Sequence, residues 1–496
     1  MSFNKLHRFS ATLAAVLLVL ANAAGQGLNN LWMGGYESWN VPPWGGSDID
    51  FFLGTPSITV HSRSIDLSYT TANITDSAGN LLFFTNGVVV GNALGDTMQN
   101  GSGLNPSDYT DNWYPTGLHL LQANLILPIP GTTHQYLLFH CTVDQIPGFT
   151  SRYLYISKVD MSLNGGLGAV VYKNQLIYDG DLQPGRLLAL RHGNGRDWWV
   201  YAHELNNDVF LRWLVSPYEI NGPTIQHVGI VRPPDAAQVA FSLDGQRFAY
   251  YSGDFGLDLF EVDRCDGTFV QTGHVDVSDA YYGWGVAFSP SGRFLYLSAE
   301  TRLHQVDVDA TDIQASMLEI AEWDSTYSPG FPFATLFGAS KLAPDGKIYI
   351  SSMNTTDKLH VINHPDSLGL ACDVVQHGIT LPTYWSNSLP NHSNYHLGAL
   401  DGSICDSLGL GVVERKPEFN LALFPNPNTG AFTLSFAPQP VAGWLEVYDV
   451  NGRLVHSEGI APWSQLKRMH TNLQAGVYQC RLRFGEEQVV RRFIVE

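Results

Sequence analysis

Positive charge is scarce in this chain. It carries 27 Lys and Arg against 46 Asp and Glu, a formal net charge of −19 over 496 residues. A protein that grips phosphate backbones needs basic patches, so nucleic acid is excluded as a partner. From Glu418 onward acidic and basic residues balance. The surplus acid therefore belongs to the upstream body, where it fits solubility better than cation storage. Charged residues of both signs reach only 15%, which does not suit a helical bundle. Cysteine is sparse as well: Cys141, Cys265, Cys372, Cys405 and Cys480 contain no C-x-x-C pair. A zinc cluster is thereby disfavoured. The four body cysteines allow three disulfide connectivities, and spacing does not choose among them. Cys480 alternates with Tyr478, Leu482 and Phe484, as a free thiol in a core would. Missing too are a G-x-S-x-G elbow, an H-E-x-x-H pair, a P-loop and an EF-hand loop.

One apolar run is present, Ala11 to Leu20. It follows Lys5 and Arg8 and precedes the small residues Ala21 to Gly25. A charged start, a short apolar centre and an A-x-A end read as a secretory signal peptide over residues 1–25. The run is too short to span a bilayer, and no other segment of the mature chain could. Glycine is abundant, at 48 residues, and aromatics make up 12%. They recur together, as a Gly turn followed by an aromatic strand: DSAGNLLFFTNG, PGTTHQYLLFH, HGNGRDWWVYAHE, FSLDGQRFAYYSG, FSPSGRFLYLSAE and LAPDGKIYISSM. The turn glycines are Gly79, Gly131, Gly195, Gly245, Gly292 and Gly346. A period of roughly 50 residues with about four short strands per unit is the signature of propeller blades. A row of separate sandwiches is the competing arrangement, but each unit is short for a fold of about 100 residues. The expected fold is all-β: a six- or seven-bladed β-propeller over residues 27–405, then a small Ig-like β-sandwich. Residues 27–72 and 376–405 hold further strand-like pieces that could combine into a composite closing blade.

The stretch LFPNPNTGAFTLSF opens the last segment. Pro425 and Pro427 hold the chain extended, Asn428-Thr429-Gly430 turns it, and Phe432, Leu434 and Phe436 alternate as a half-buried strand. FPNPNTGAFTLSF, LEVYDVNGRLV and LQAGVYQCRLRFGEEQVVRRFIVE together resemble the type A C-terminal sorting domain of the type IX secretion system of Bacteroidota. The resemblance covers about residues 418–496, after a linker at 406–417. Its motif positions here are Pro425, Asn426, Pro427, Gly430, Asp449, Gly452, Gly476 and Tyr478. It implies export to the periplasm and then across the outer membrane by the type IX machinery. It also implies removal of the tail by a sortase-like peptidase, with the cargo released or attached to surface lipopolysaccharide. Arg491-Arg492 fits the family's basic ending, whereas Glu496 departs from it. The blocks LWMGG, SDIDF, ITDSAGNLLFFTNGVVVGN, MQNGSGL, RHGNGRDWWVYAH and LPNHSNYHLGALDGSICDSLG resemble large propeller-like proteins that carry such tails. That likeness supports the fold and implies no activity.

Candidate chemistry gathers in Arg191, His192, Arg196, Asp197 and Trp198, with Trp199 beside them. Arg forks and aromatic faces suit a sugar or an anion. Turn chemistry already explains Asn194-Gly195, with the Arg–Asp pair bracing neighbouring blades, and this is the preferred reading. His140 and His203 hold similar positions in successive units and are expected to line the central channel. A ring of histidines could bind metal, but matching carboxylates are missing from the other units, so no metal site is assigned. Glu204 and Glu300 end equivalent strands and offer a weak acid–base pair. Asp307, Asp309 and Asp312 leave Ca2+ open as a cofactor, although their spacing breaks the EF-hand pattern; no other cofactor is called for. The sequence thus points first to an exported, surface or secreted propeller that binds a glycan, protein or other ligand without catalysis. A propeller hydrolase or lactonase with metal or carboxylates in its channel is the alternative, and a structural part of an extracellular apparatus is a third.

Overall fold

In the computed structural model the chain forms two compact units, one ending at Leu408 and the other beginning at Gly409. The structure describes residues 27–496 except 146–147, 236, 278–282, 329–332, 388, 407–420, 437–438, 440, 462–463, 465 and 486. The expected signal peptide at 1–25 and nearly all of the expected linker at 406–417 lie outside the described residues.

The first unit follows from the repeat. A three-stranded sheet comes first, then an eight-stranded sheet in which two antiparallel four-stranded blades meet through a parallel bridge between Gln99 and Ala169, then four antiparallel four-stranded sheets in sequence order. Blade 1 is Leu31–Tyr36, Gly45–Asp50 and Ser57–His61. The innermost strands of blades 2 to 7 are Ala72–Thr75, Asn124–Pro128, Leu188–Arg191, Val239–Phe241, Gly285–Phe288 and Phe337–Leu342. With the eight-stranded sheet counted as two blades, the described residues form seven blades. The composite closing blade does not form. The three N-terminal strands make the extra blade alone, residues 374–385 are the outer strand of blade 7, and the chain beyond Trp385 leaves the sheet.

The period of two along each strand explains the ring. In blade 5, Phe248 and Tyr250 pack with Tyr201 and Phe210 of blade 4. Their neighbours Ala249 and Tyr251 turn the other way and pack with Val286, Leu295 and Leu297 of blade 6. In blade 6, Phe294 and Tyr296 face Ile348 and Ile350 of blade 7. Such strands are buried on both faces and read as continuous apolar runs rather than alternating ones. Closure occurs between blades 7 and 1, where Trp385 and Leu381 join Trp32, Ile49 and Phe51. The Trp385 indole donates to Ser47 Oγ at 2.9 Å, and its ring lies where a Cβ on Gly34 would fall, 2.6 Å away. Only glycine fits there.

The second unit is a small antiparallel sandwich. One sheet is Leu421–Phe424, Ala431–Phe436 and Leu466–His470; the other is Gly443–Tyr448, Leu454–Ile460, Gly476–Phe484 and Glu487–Val495. Phe432, Leu434, Phe436, Leu445, Val447, Leu482 and Phe493 fill it. Cys480 is buried there as a free thiol, pushed up to about 12 by burial. Asn426 Oδ1 accepts from the backbone N–H of Ile494 at 2.9 Å, and Asn428 donates from its own N–H to the Ile494 carbonyl at 3.0 Å. The Pro-Asn steps therefore clip the first strand's entrance to the last strand. Gly430 turns at φ +91°. Asp449 accepts from the N–H groups of Asn451 and Arg453, which closes the turn at Gly452. Tyr478, two residues after Gly476, donates its hydroxyl back to the Gln474 carbonyl at 2.8 Å.

Candidate functional site: a strap across the propeller axis and the cavity under it

After Trp385 the chain does not pair as a strand. SNSLPNHSNYHLG is rich in Asn, Ser and His and contains Pro390, so it lacks the alternation that a sheet rewards. It crosses the propeller instead and satisfies its polar groups on the inner ends of the blades. Asn391 is the hub. Its amide donates to the carbonyls of Asn124 in blade 3 (2.9 Å) and Leu187 at the start of blade 4 (2.8 Å). Its backbone N–H donates to Thr71 at the start of blade 2. The Tyr395 hydroxyl donates to the Ile126 carbonyl at 2.9 Å, and Asn394 donates to the Leu243 carbonyl at 2.7 Å. Arg264 of blade 5 donates to the Gly398 carbonyl. Finally a disulfide joins Cys405 to Cys265, which sits in the turn after Gly256–Val262. Cys141 and Cys372 are buried free thiols. One segment thus ties most of the blades together.

Beneath the strap lies a cavity of about 160 Å³ on the axis, walled by the innermost strands and by Leu389–Asn394. Its wall is polar but carries neither Asp nor Glu. Lys341 is its one ammonium. Burial alone lowers it, to about 8, and its Nζ donates only to the His392 carbonyl, at 3.3 Å. His392 is held neutral, well below its usual range, by burial and by that ammonium. Asn73 donates its amide to the Leu31 carbonyl at 2.9 Å, so its Oδ1 must accept from His392 Nε2 at 3.1 Å. The neutral ring therefore keeps its lone pair on Nδ1. The wall reaches the surface at Leu243, which is 47% exposed.

The residues singled out in the sequence lie elsewhere. His140 and His203 sit on second strands, within the blades, and do not line the cavity, contrary to expectation. His140 bonds Asn105 Oδ1 at 2.7 Å and Ser157 Oγ at 2.9 Å, while His203 packs edge-on against Phe210 and Tyr250. Burial drives both down to about 3, so both are neutral. The Arg191–Trp199 loop is the tip between the first two strands of blade 4. Trp198 and Trp199 are buried and donate to the carbonyls of Pro128 and Arg264. No indole face is left for a sugar. Arg191 lies 3.6 Å over Trp198 and donates to the Tyr395 carbonyl at 3.0 Å. Arg196 grips Asp197 through two nitrogens, at 2.7 and 3.0 Å. His192 Nδ1 accepts from the Asn194 N–H, and the Gly193 carbonyl accepts from the Leu400 N–H. The loop is an anchor for the strap.

The remaining carboxylates are also engaged. Glu204, in blade 4, accepts from Tyr178 and Asn207, and Glu300 lies two blades away in blade 6. Asp307 is forked by Arg293, Asp309 pairs with Arg247 of blade 5 at 2.6 Å, and Asp312 caps the Ala315 N–H. Sequence reasoning missed Lys341, Asn391, His392 and Ser393. The available signal was LPNHSNYH itself, a polar stretch without alternation inside a strand-rich body.

Fold and site together define a propeller plugged on its axis and a separate small sandwich that follows it in the chain. The comparisons add one assignment. Residues 422–496 match the family described as secretion system C-terminal sorting domain, so the tail is a type IX secretion signal and the protein is delivered to the cell surface or outside. No curated protein matches the chain. Among solved structures, a candidate 6-phosphogluconolactonase from Bacteroides uniformis is similar at 12% identity and a TM-score of 0.43, covering 72% of this chain and 98% of that one. One from Bacteroides fragilis gives 13%, 0.44, 72% and 96%. A Lactobacillus plantarum protein gives 11%, 0.37, 89% and 99%. Likeness at this level says nothing about activity. No helix among the described residues is long and apolar enough to cross a membrane.

Proposed function

We propose that this is an exported, non-catalytic binding protein whose ligand site is the axial cavity under the strap. On this view residues 1–25 are the export leader, 27–405 the binding body, 406–417 a linker and 418–496 a tail removed by a sortase-like peptidase. The cargo is then released or held on surface lipopolysaccharide. The observation that carries the proposal is a polar cavity on the axis, lined in part by the exposed Leu243. The lactonase or hydrolase alternative needs carboxylates or a ring of metal ligands in the channel. The wall has no Asp or Glu, and the described residues form no group of three or more metal-ligating side chains. That pattern suits holding a ligand better than activating water.

The test is a thermal-shift screen of the purified full chain against small polar metabolites and glycans, repeated on Leu243→Trp, which narrows the cavity mouth. A ligand that raises the midpoint saturably in the parent and not in Leu243→Trp supports the proposal. Ligands that act equally on both place the site elsewhere, and turnover of a lactone or ester by the parent would restore the enzyme alternative.

A further inference from the structure

Between blades 2 and 3 the chain builds an aromatic column that neither the strap nor the axial cavity explains. Tyr69, His119 and Trp113 lie ring on ring, at 4.5 and 3.5 Å, with planes 15° and 19° apart. Tyr69 belongs to the cavity wall, so Trp113 is the end of the column away from the axis. Trp113 closes the short helix Asp108–Trp113, whose first turn is capped by Ser107 Oγ accepting from the Thr110 N–H at 3.1 Å. Thr110 also shares a hydroxyl hydrogen bond of 2.9 Å with Thr142, which fastens the helix to the turn at 141–150 of blade 3. That turn brings in Phe149. Phe149 holds φ +47°, a conformation that a bulky L residue rarely adopts, and it is 38% exposed. Tyr109 stands between the two rings, 6.2 Å from Trp113 and 6.1 Å from Phe149. Tyr114 follows Trp113 and is 61% exposed.

Rings held at the surface by a built scaffold, one of them on a strained backbone, mark a place where a ligand is gripped. An aromatic face carries negative potential, which suits the C–H face of a sugar ring. Polar side chains beside the rings supply what sugar hydroxyls need. Asp111 and Asn112 precede Trp113 on the helix, Gln145 bridges to Thr150 beside Phe149, and all three side chains are exposed. The carboxylate accepts, and the amides both give and take. The core of a protein-docking face is instead largely apolar and depleted in charge. Here Tyr114 and Phe149 are the exposed large apolar side chains among the described residues of 103–123 and 141–153, and carboxylates stand next to them in the chain. Both charged side chains of the helix, Asp108 and Asp111, are acidic, so acidic sugars are repelled. We infer that this face is a second site, separate from the axial cavity, which binds neutral polysaccharide through Trp113, Tyr114 and Phe149.

Affinity electrophoresis of the purified full chain tests this, in gels carrying laminarin, galactomannan, xyloglucan or, as an acidic control, polygalacturonate. At least one neutral polymer should slow the chain saturably, and polygalacturonate should not. Tyr114→Ala should weaken that interaction at least threefold and Trp113→Ala at least tenfold. If Trp113→Ala fails to fold, Tyr114→Ala decides alone, since so exposed a side chain carries little of the fold. The assignment is overturned if no neutral polymer slows the parent, or if either folded variant runs with the parent. A polymer lost in Leu243→Trp and kept in Tyr114→Ala lies in the axial cavity, which overturns this site and supports the other. A parent that is dimeric by light scattering, with Tyr114→Ala monomeric and neither slowed by any polymer, makes the face a protein contact and overturns the assignment as well.

Discussion

Single side chains decide more here than their size suggests, because several hold two or three blades at once. Asn391 is the clearest. Its amide satisfies two buried carbonyls that belong to different blades. Alanine leaves both unpaired, at about 1–3 kcal/mol each. Asn391→Ala should therefore lose about 2–6 kcal/mol in urea denaturation, and a loss under about half a kilocalorie would mean that water replaces the amide. His119 makes a second case. Its ring stacks on Trp113 at 3.5 Å and on Tyr69 at 4.5 Å, and burial lowers it to about 4. Unfolded, the same group titrates near 6.5. Its contribution is thus complete above pH 6.5 and is lost as pH falls through about 4, since the unfolded chain binds the proton first. His119→Phe keeps the stack and removes the proton site. The variant's stability should fall less steeply than the parent's between pH 6.5 and 4, with the two nearly parallel above pH 7. An unchanged acid limb would show that His119 is protonated freely in the fold.

At the level of elements, the strands were legible and the strap was not, for one physical reason. FAYYS and FLYLSA must be apolar throughout, because neighbouring blades cover both faces of the strand, and that demand writes itself into sequence. The Gly turns between them are equally plain, as at Gly245 with φ +71°. Ring closure was ambiguous, since three strands can make a blade where four were expected. The strap leaves no periodicity at all: its partners are backbone carbonyls of distant blades, and a carbonyl has no letter. For the same reason nothing in the sequence singled out Lys341, although it stands at the cavity, while the Arg191–Trp199 loop drew notice for residues that serve as bracing. The Cys265–Cys405 bond and the Asn391 hub fasten opposite ends of the strap. They should come apart separately. Replacing both cysteines by serine should cost about 2–4 kcal/mol and open residues near 398–405 to protease, while amide exchange at 391–395 stays slow. Fast exchange at Asn391 in that variant would mean that the disulfide, rather than the hub, holds the whole strap.

Over the whole molecule, the sorting signal and the propeller reside in units with separate cores. The tail's interior is built from its own residues, Leu421 through Val495, and the propeller is closed by Trp385 against Trp32 and Phe51. Neither core needs residues of the other, so the address can be lost without the fold. The tail's balanced charge also means that removing it leaves the acidic body as soluble as before. Deleting residues 409–496 should therefore leave a folded body that accumulates in the periplasm. Fractionation with protease shaving of intact cells reports where it is. Near-native circular dichroism and an unshifted unfolding midpoint report that it is folded. A shaved, surface-exposed truncated body would mean that the export information lies upstream of residue 409. A body that fails to fold would mean that the tail acts as a folding partner, and its sequestration would then say nothing about sorting. Folded and periplasmic together are what separate an address from a structural part.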